Sequence, residues 1–549
     1  MRTAWTRHLF SLLAVAGLLL SACQPAAQAP AKPDAKPADT KPAETKPAES
    51  KPATKTDAKP AGGGQLTIAQ PADATTMDPG KSTQVLNVNY FYNLYDTLTR
   101  WDTDLKLQPS LATAWKNLDE TTWEVTLRQG VKFHDGSPLT AEDVKATYDR
   151  LLQPGKTIVQ SGFATIKSVE VANPQTLRLI TDKPDPLVPV RMAQMGGQIY
   201  PARLASTDEG NNELARTPVG SGPYKLVEWV KDDRLVMEAN REWWGWEGKP
   251  PAFDRVTWKP IPDDFARVSA LQKGEVDVIT NVPPDQMKSL GDGRTTQVLT
   301  TPATRTVTFW MNTMEGPLGD KRVRQALHYA TDTESIVKNL YAGSGKPMSG
   351  GLADTDFGFN PSLKPYGYDQ ARAKQLLSEA GHANGFDVTL HAGSGTMVND
   401  KQLLEALADM WSKVGIRARV EMMEMAQRQK MNNDRTVPDN GFLLINPQST
   451  LLDADGSLWR LFHPNGLGGK YWVGSQPGQR FHDLMEQART TLDQERRKQL
   501  YAEATQIIHD DKPWLELFQE EIVYGSTKRV NFKPRADYRL IVSEMTASQ

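Results

Sequence analysis

Trp123-Glu-Val-Thr-Leu-Arg-Gln-Gly-Val-Lys-Phe-His-Asp-Gly136, followed by Leu139-Thr-Ala-Glu-Asp-Val144, is the stretch on which the fold turns. Apolar and polar residues alternate from Trp123 to Leu127, the period of a half-buried strand. Gly130, Gly136 and Gly222 read as turn glycines, and Asp135-Gly136 with Pro138 reads as a tight turn. Thr140-Ala-Glu-Asp143 then carries the spacing of a capping box and opens a helix. A strand, a turn and a capped helix within about 30 residues point to a mixed α/β protein.

Working outward, Leu66–Gln70, Leu235–Ala239, Val256–Trp258 and Thr306–Met311 are further strands. Val169–Val171 and Leu177–Thr181 form a hairpin about Asn173-Pro174. Helical stripes dominate after about residue 320. Thr331-Asp-Thr-Glu334 predicts a capped helix with Ile336, Val337, Leu340 and Tyr341 on one face. Leu403, Leu404, Leu407, Met410, Trp411 and Val414 form a second stripe, which Gly415 closes before a strand from Ile416. Leu500, Tyr501, Ala504, Ile507 and Ile508 mark a late helix that ends before Pro513. These stripes are core faces.

The N-terminus has a different composition. Arg2 and Arg7 precede a 12-residue apolar run, Leu9 to Leu20, and then Leu20-Ser-Ala-Cys23, the one cysteine of 549 residues. The run is shorter than the roughly 20 residues that span a bilayer. It reads as an export signal ending in a lipobox, with Cys23 the lipidated residue over a 1–23 signal segment. Residues 24–64 repeat Lys36-Pro-Ala-Asp-Thr40, Lys41-Pro-Ala-Glu-Thr45 and Lys46-Pro-Ala-Glu-Ser50. With no large apolar side chain they cannot offset the entropy of ordering, and they form a tether. The expected place is outside the cytoplasm, tied to a membrane. The first 64 residues hold nine Lys/Arg and five Asp/Glu, a net of +4 in a chain of −2, so the head is near −6. That sign argues against nucleic acid as partner.

Catalytic patterns are not matched. Gly343-Ser-Gly-Lys346 lacks the first glycine of a phosphate loop, and Pro347 stands where a hydroxyl residue is required. Ser335-Ile-Val-Lys338 sits within a helix and lacks its companion motifs. The eight histidines show no pair at metal-ligand spacing. Asp453-Ala-Asp455-Gly456 resembles the start of a calcium loop, but its glycine is early and no glutamate closes it; a solvated turn is expected. No catalytic residue, metal or cofactor is therefore assigned.

The opening stretch, together with Leu107–Trp115, Gly220-Ser-Gly-Pro-Tyr-Lys225, Asn240–Trp244, Gly274-Glu-Val-Asp277, Val323–Asp332 and Arg497–Pro513, closely resembles the family 5 extracellular solute-binding proteins. These are the dipeptide, oligopeptide and nickel receptors of ABC importers. The resemblance covers the whole head. It implies a two-lobed, periplasmic-binding-protein-like α/β fold that closes about a hinge, with a discontinuous first lobe. Lobe 1 is expected over 65–312, with an extra subdomain at about 108–210, lobe 2 over 313–512, and a return to lobe 1 over 513–549. It further implies a monomeric, non-enzymatic lipoprotein that delivers a peptide or peptide-like ligand to permease subunits. An opine, an oligosaccharide or a nickel chelate is the alternative ligand, and an extracytoplasmic hydrolase the rival function.

The resemblance also places ligand contacts. A loop after Asp78-Pro79 would present Thr83, Gln84 and Val85. A second segment, Asn446 to Thr450 with Gln448 and Ser449, would precede Asp453-Ala454 and a short apolar helix. Trp310 joins this set, and Arg435 falls where some relatives hold a ligand carboxylate. Thr450 stands where peptide receptors often place the aspartate that meets an α-amino group. Asp453 or Asp455 is the substitute for that role.

Overall fold

The computed structural model describes residues 64–548 apart from 438, 439, 467, 473 and 474. The signal segment, Cys23 and the tether up to residue 63 lie outside the described residues. Among the described residues no helix is long and apolar enough to cross a membrane.

The spine is an eleven-stranded sheet. Two long strands, Thr296–Met311 and Leu515–Thr527, pair antiparallel at its centre and run through both lobes. On one side lie Val278–Thr280, Gly64–Gln70, Phe253–Pro260, Arg234–Ala239 and Tyr224–Val230; on the other, Gly441–Ile445, Asp387–Gly393 and Arg417–Met423; the eleventh, Gly345–Pro347, pairs with Leu515–Thr527 off this order. The pairing shifts register between Pro302 and Thr306. Core membership changes at the same place. Ala303, Ile522 and Tyr524 pack in the first lobe, whereas Val307, Phe309 and Phe518 pack in the second. Along these two strands the core changes between residues 303 and 307 and between 518 and 522, whereas the sequence reading puts the crossings near 312 and 512. A strand that continues through a boundary carries no turn residue to mark it.

The opening stretch builds a separate four-stranded antiparallel sheet from Ala112–Asn117, Thr122–Leu127, Thr176–Thr181 and Ile166–Asn173. Val125, Leu127, Leu177 and Leu179 face a core of their own with Val144, Tyr148 and Phe163. Helix Ala141–Leu152 starts at Thr140, whose N–H donates to the Asp143 carboxylate at 2.9 Å, so the capping box is present. Gly130 and Gly136 have φ of 73° and 85°, the left-handed backbone that glycine adopts without strain. Gly222 serves a different purpose. A Cβ there would lie 2.6 Å from the Leu94 carbonyl carbon, so glycine permits a close backbone approach and makes no turn.

The cap of helix Thr333–Leu340 differs from the sequence reading. Asp332, not Thr331, is the N-cap, and its side chain accepts from Ser335 N at 2.9 Å. Thr331 is committed elsewhere: its hydroxyl donates to Leu327 O at 2.7 Å and accepts from Trp411 Nε1 at 3.0 Å. Leu403, Leu404, Leu407 and Trp411 are fully buried on helix Asp400–Ser412, as their spacing requires.

Candidate functional site

The loop after Asp78-Pro79 is held by a buried ion pair. Asp78 accepts from Gly80 N at 2.9 Å and from Arg150 Nη1 at 3.0 Å, with both side chains almost fully buried. This anchors the chain leading to Thr83 and Val85. In the other lobe, Ser449 N donates to Thr304 O at 2.8 Å and Thr306 N to Pro447 O at 3.1 Å. These bonds fix segment 446–450 against the crossing strand. Between the two segments lies a cavity of about 700 Å³ with walls from both lobes. Gln194 of the first lobe donates to Thr450 O at 3.0 Å, and Leu452 packs with Trp101 and Ala193. The lobes therefore meet across the cleft. Leu452 does so with φ of 52°, a conformation leucine rarely adopts, held here by its burial.

Six residues expected from the sequence line the cavity: Thr83, Val85, Asn446, Gln448, Ser449 and Thr450. Four do not. Gln84 is exposed beside the loop as the N-cap of helix Val85–Leu94. Trp310 is fully buried in the second lobe, edge-on to Trp514 at 5.6 Å. Arg435 leaves helix Met425–Asp434 in a left-handed conformation and donates to Asn465 O at 3.1 Å. Asp453 is buried and ion-paired with Arg497 at 2.9 Å. The solvated turn expected at Asp453–Gly456 is also replaced: Asp453 and Asp455 are buried, and Asp455–Trp459 forms a π-helical turn.

Sequence reasoning missed the charged lining. Arg191, Arg305, Arg428, Arg460, Arg489 and Arg539 face the cavity, against Asp455 and Asp537. Three of the arginines have carboxylate partners: Arg191 with Asp185 at 2.7 Å, Arg489 with Asp455 at 2.9 Å, and Arg539 with Asp537 at 3.3 Å. Burial pushes the Asp455 carboxyl up to about 6 although Arg489 opposes it. Burial also pulls the Arg428 and Arg460 guanidinium groups below their ordinary value. Arg428 lies seven residues before Arg435, on the same nominal helix face. Only the left-handed exit at Arg435 shows which of the two meets the cavity.

Beside this cavity, Ser457 Oγ donates to Asp356 Oδ2 at 3.0 Å. Burial pushes the Asp356 carboxyl up to about 7, and neighbouring Asp453 and Asp354 push the same way. A raised carboxyl favours the neutral form in the fold. Its contribution is full below the ordinary carboxylate range and is lost as pH rises through about 7. At about 1.4 kcal/mol per unit, stability should fall by roughly 2–4 kcal/mol between about pH 4 and pH 8 through this group. Asp356→Asn should remove that portion of the slope. Denaturant melts at the two pH values check it, and an unchanged slope in the variant would refute the assignment.

The fold also gathers His463, His482 and Glu486, which the histidine spacing did not suggest. Their donors fit a metal poorly. Asn465 N donates to His463 Nδ1 at 3.1 Å, so the neutral ring carries its proton on Nε2, the atom facing Glu486 at 3.3 Å. The two imidazoles stack at 4.4 Å, with their lone pairs in near-parallel planes. Glu486 already accepts from Trp459 Nε1 at 2.9 Å. The two rings form a stack whose hydrogen bonds, and those of Glu486, go to residues outside the trio.

Residues 106–469 match the family described as bacterial extracellular solute-binding proteins, family 5 Middle. The chain is 28% identical over 477 residues to the glutathione-binding protein GsiB of Salmonella typhi, covering 85% of this chain and 91% of that protein. Among solved structures, the substrate-binding protein CtaP of Listeria monocytogenes superposes with a TM-score of 0.80 at 22% identity, over 89% of this chain and 100% of that one. The periplasmic binding protein DppA of Helicobacter pylori, in complex with the peptide STSA, superposes with a TM-score of 0.71 at 25% identity, over 89% and 98%.

Proposed function

Given that the chain belongs to the bacterial extracellular solute-binding proteins of family 5, we propose that it captures a peptide or peptide-like solute and delivers it to the permease subunits of an ABC importer. The observation that carries this reading is the cavity of about 700 Å³ between the lobes. Its size suits a small-molecule or short-peptide ligand. Walls from both lobes make ligand contact and lobe closure one event: a solute touching both sides selects the closed arrangement. The relative GsiB is a glutathione-binding protein, and DppA holds a tetrapeptide. Both support a ligand of this class.

The receptor works outside the cytoplasm, attached through lipid on Cys23 and held off the membrane by a tether that ends where the first strand begins at Gly64. It acts as a monomer that binds and does not transform its solute. Arg489 and Arg539 pair with the two cavity carboxylates, Asp455 and Asp537.

Native mass spectrometry of protein purified from its own cells should find a co-purified peptide or peptide-like compound. Calorimetry should then show that compound binding at one site per chain. Recovery of an opine, an oligosaccharide or a nickel chelate instead would replace the peptide reading and leave the receptor reading in place. Turnover of the recovered compound by the purified protein would overturn the receptor reading.

A further inference from the structure

Three cavity arginines have no carboxylate within ion-pair distance among the described residues. Arg305 lies over the Tyr538 ring, 4.8 Å from its centroid, and donates to Gln448 Oε1 at 3.4 Å. Arg460 donates to Gln448 O at 3.3 Å, and Arg428 to Leu444 O at 3.4 Å. All three bonds are long. In each residue Nε is buried without a partner. A guanidinium offers five donors in a planar fork, so most of their hydrogen-bonding capacity is unmet. A charge withdrawn from water is costly until an opposite charge meets it. The remaining three arginines are neutralised by aspartates, so the local field is positive.

We propose that the solute is an acidic compound whose anionic groups are held by Arg305, Arg428 and Arg460. It carries at least two carboxylates beyond any that its own ammonium group balances. Gln448 sets the spacing, since its side-chain and backbone carbonyls each take one N–H and so orient two of the guanidinium forks. Low-dielectric walls strengthen the attraction, and fork-to-carboxylate pairing adds geometric selectivity. This inference rests on the receptor reading above for the role of the cavity. It does not require the solute to be a peptide.

Calorimetry on the full chain with alanyl-glutamyl-glutamate, trialanine, alanyl-lysyl-lysine and citrate tests both. The acidic tripeptide should bind at least tenfold more tightly than trialanine, and the basic one most weakly. Raising the salt concentration should narrow the gap. Arg428→Gln should abolish most of the preference, Arg428→Lys should retain part of it, and Arg460→Gln, checked by thermal melt for folding, should act like Arg428→Gln. Citrate binding without any tripeptide binding would sustain the acidic-solute proposal and overturn the peptide reading. Equal affinity for the acidic and neutral tripeptides would overturn the acidic-solute proposal and sustain the peptide reading. Binding of none of the four would count against both.

Discussion

Replacing Asp453 by alanine should cost the protein about 3–5 kcal/mol of stability while leaving ligand affinity of the folded fraction within about threefold. Both oxygens of Asp453 accept from Arg497 Nη2 at 2.9 Å, and Oδ1 also accepts from Tyr501 Oη and from Asp455 N, each at 3.0 Å. The side chains of Asp453 and Arg497 are each 4% exposed. Removing the carboxylate takes the counter-charge from the buried Arg497 guanidinium and the acceptor from the Tyr501 hydroxyl and the Asp455 N–H together. The Phe357 ring, 5.1 Å from the guanidinium, cannot replace a counter-charge. The double variant Asp453→Ala, Arg497→Met should recover part of the loss, because it removes both charges. Urea unfolding of the wild type and the two variants measures the first claim and calorimetry the second. Wild-type stability with lost ligand binding would return Asp453 to the ligand site where the family resemblance put it.

The second large effect concerns attachment. Cys23→Ser should move the protein from the membrane fraction to the soluble fraction and abolish palmitate labelling. Each buried methylene of an acyl chain contributes about 0.8 kcal/mol, and two chains suffice for stable anchoring. The tether supplies lysines interleaved with acids, and the described residues hold no helix able to cross a bilayer. Lipid on Cys23 is the attachment proposed above. Membrane retention by the serine variant, with no label on the wild type, would show that another element holds the bilayer.

Local periodicity alone specified the strands at Leu66–Gln70 and Trp123–Leu127, the hairpin about Asn173-Pro174 and the helix stripe from Leu403 to Trp411. In each, the spacing of apolar side chains states which face is buried. The capping box at Thr140 was equally legible, because its partners lie three residues apart. The same rule failed at Thr331, where the competing partner Trp411 is 80 residues away. Segments 83–85 and 446–450 were placed from family resemblance, and most of their residues do line the cavity.

Charge was where sequence reading stopped. Arg150 meets Asp78 across 72 residues, and Arg497 meets Asp453 across 44. Nothing in either neighbourhood marks these arginines as satisfied or marks Arg305, Arg428 and Arg460 as lacking an acid. The value of a charge depends on its distance to an opposite charge and on the water removed around it, and both are properties of the folded chain. By itself the sequence determined the strands and helix stripes named above, the solute-binding family and the expectation of an export signal and tether. Only the tertiary structure decided which residues line the cavity and which of its arginines have no acid beside them, because through-space pairing and burial exist only once distant segments are brought together.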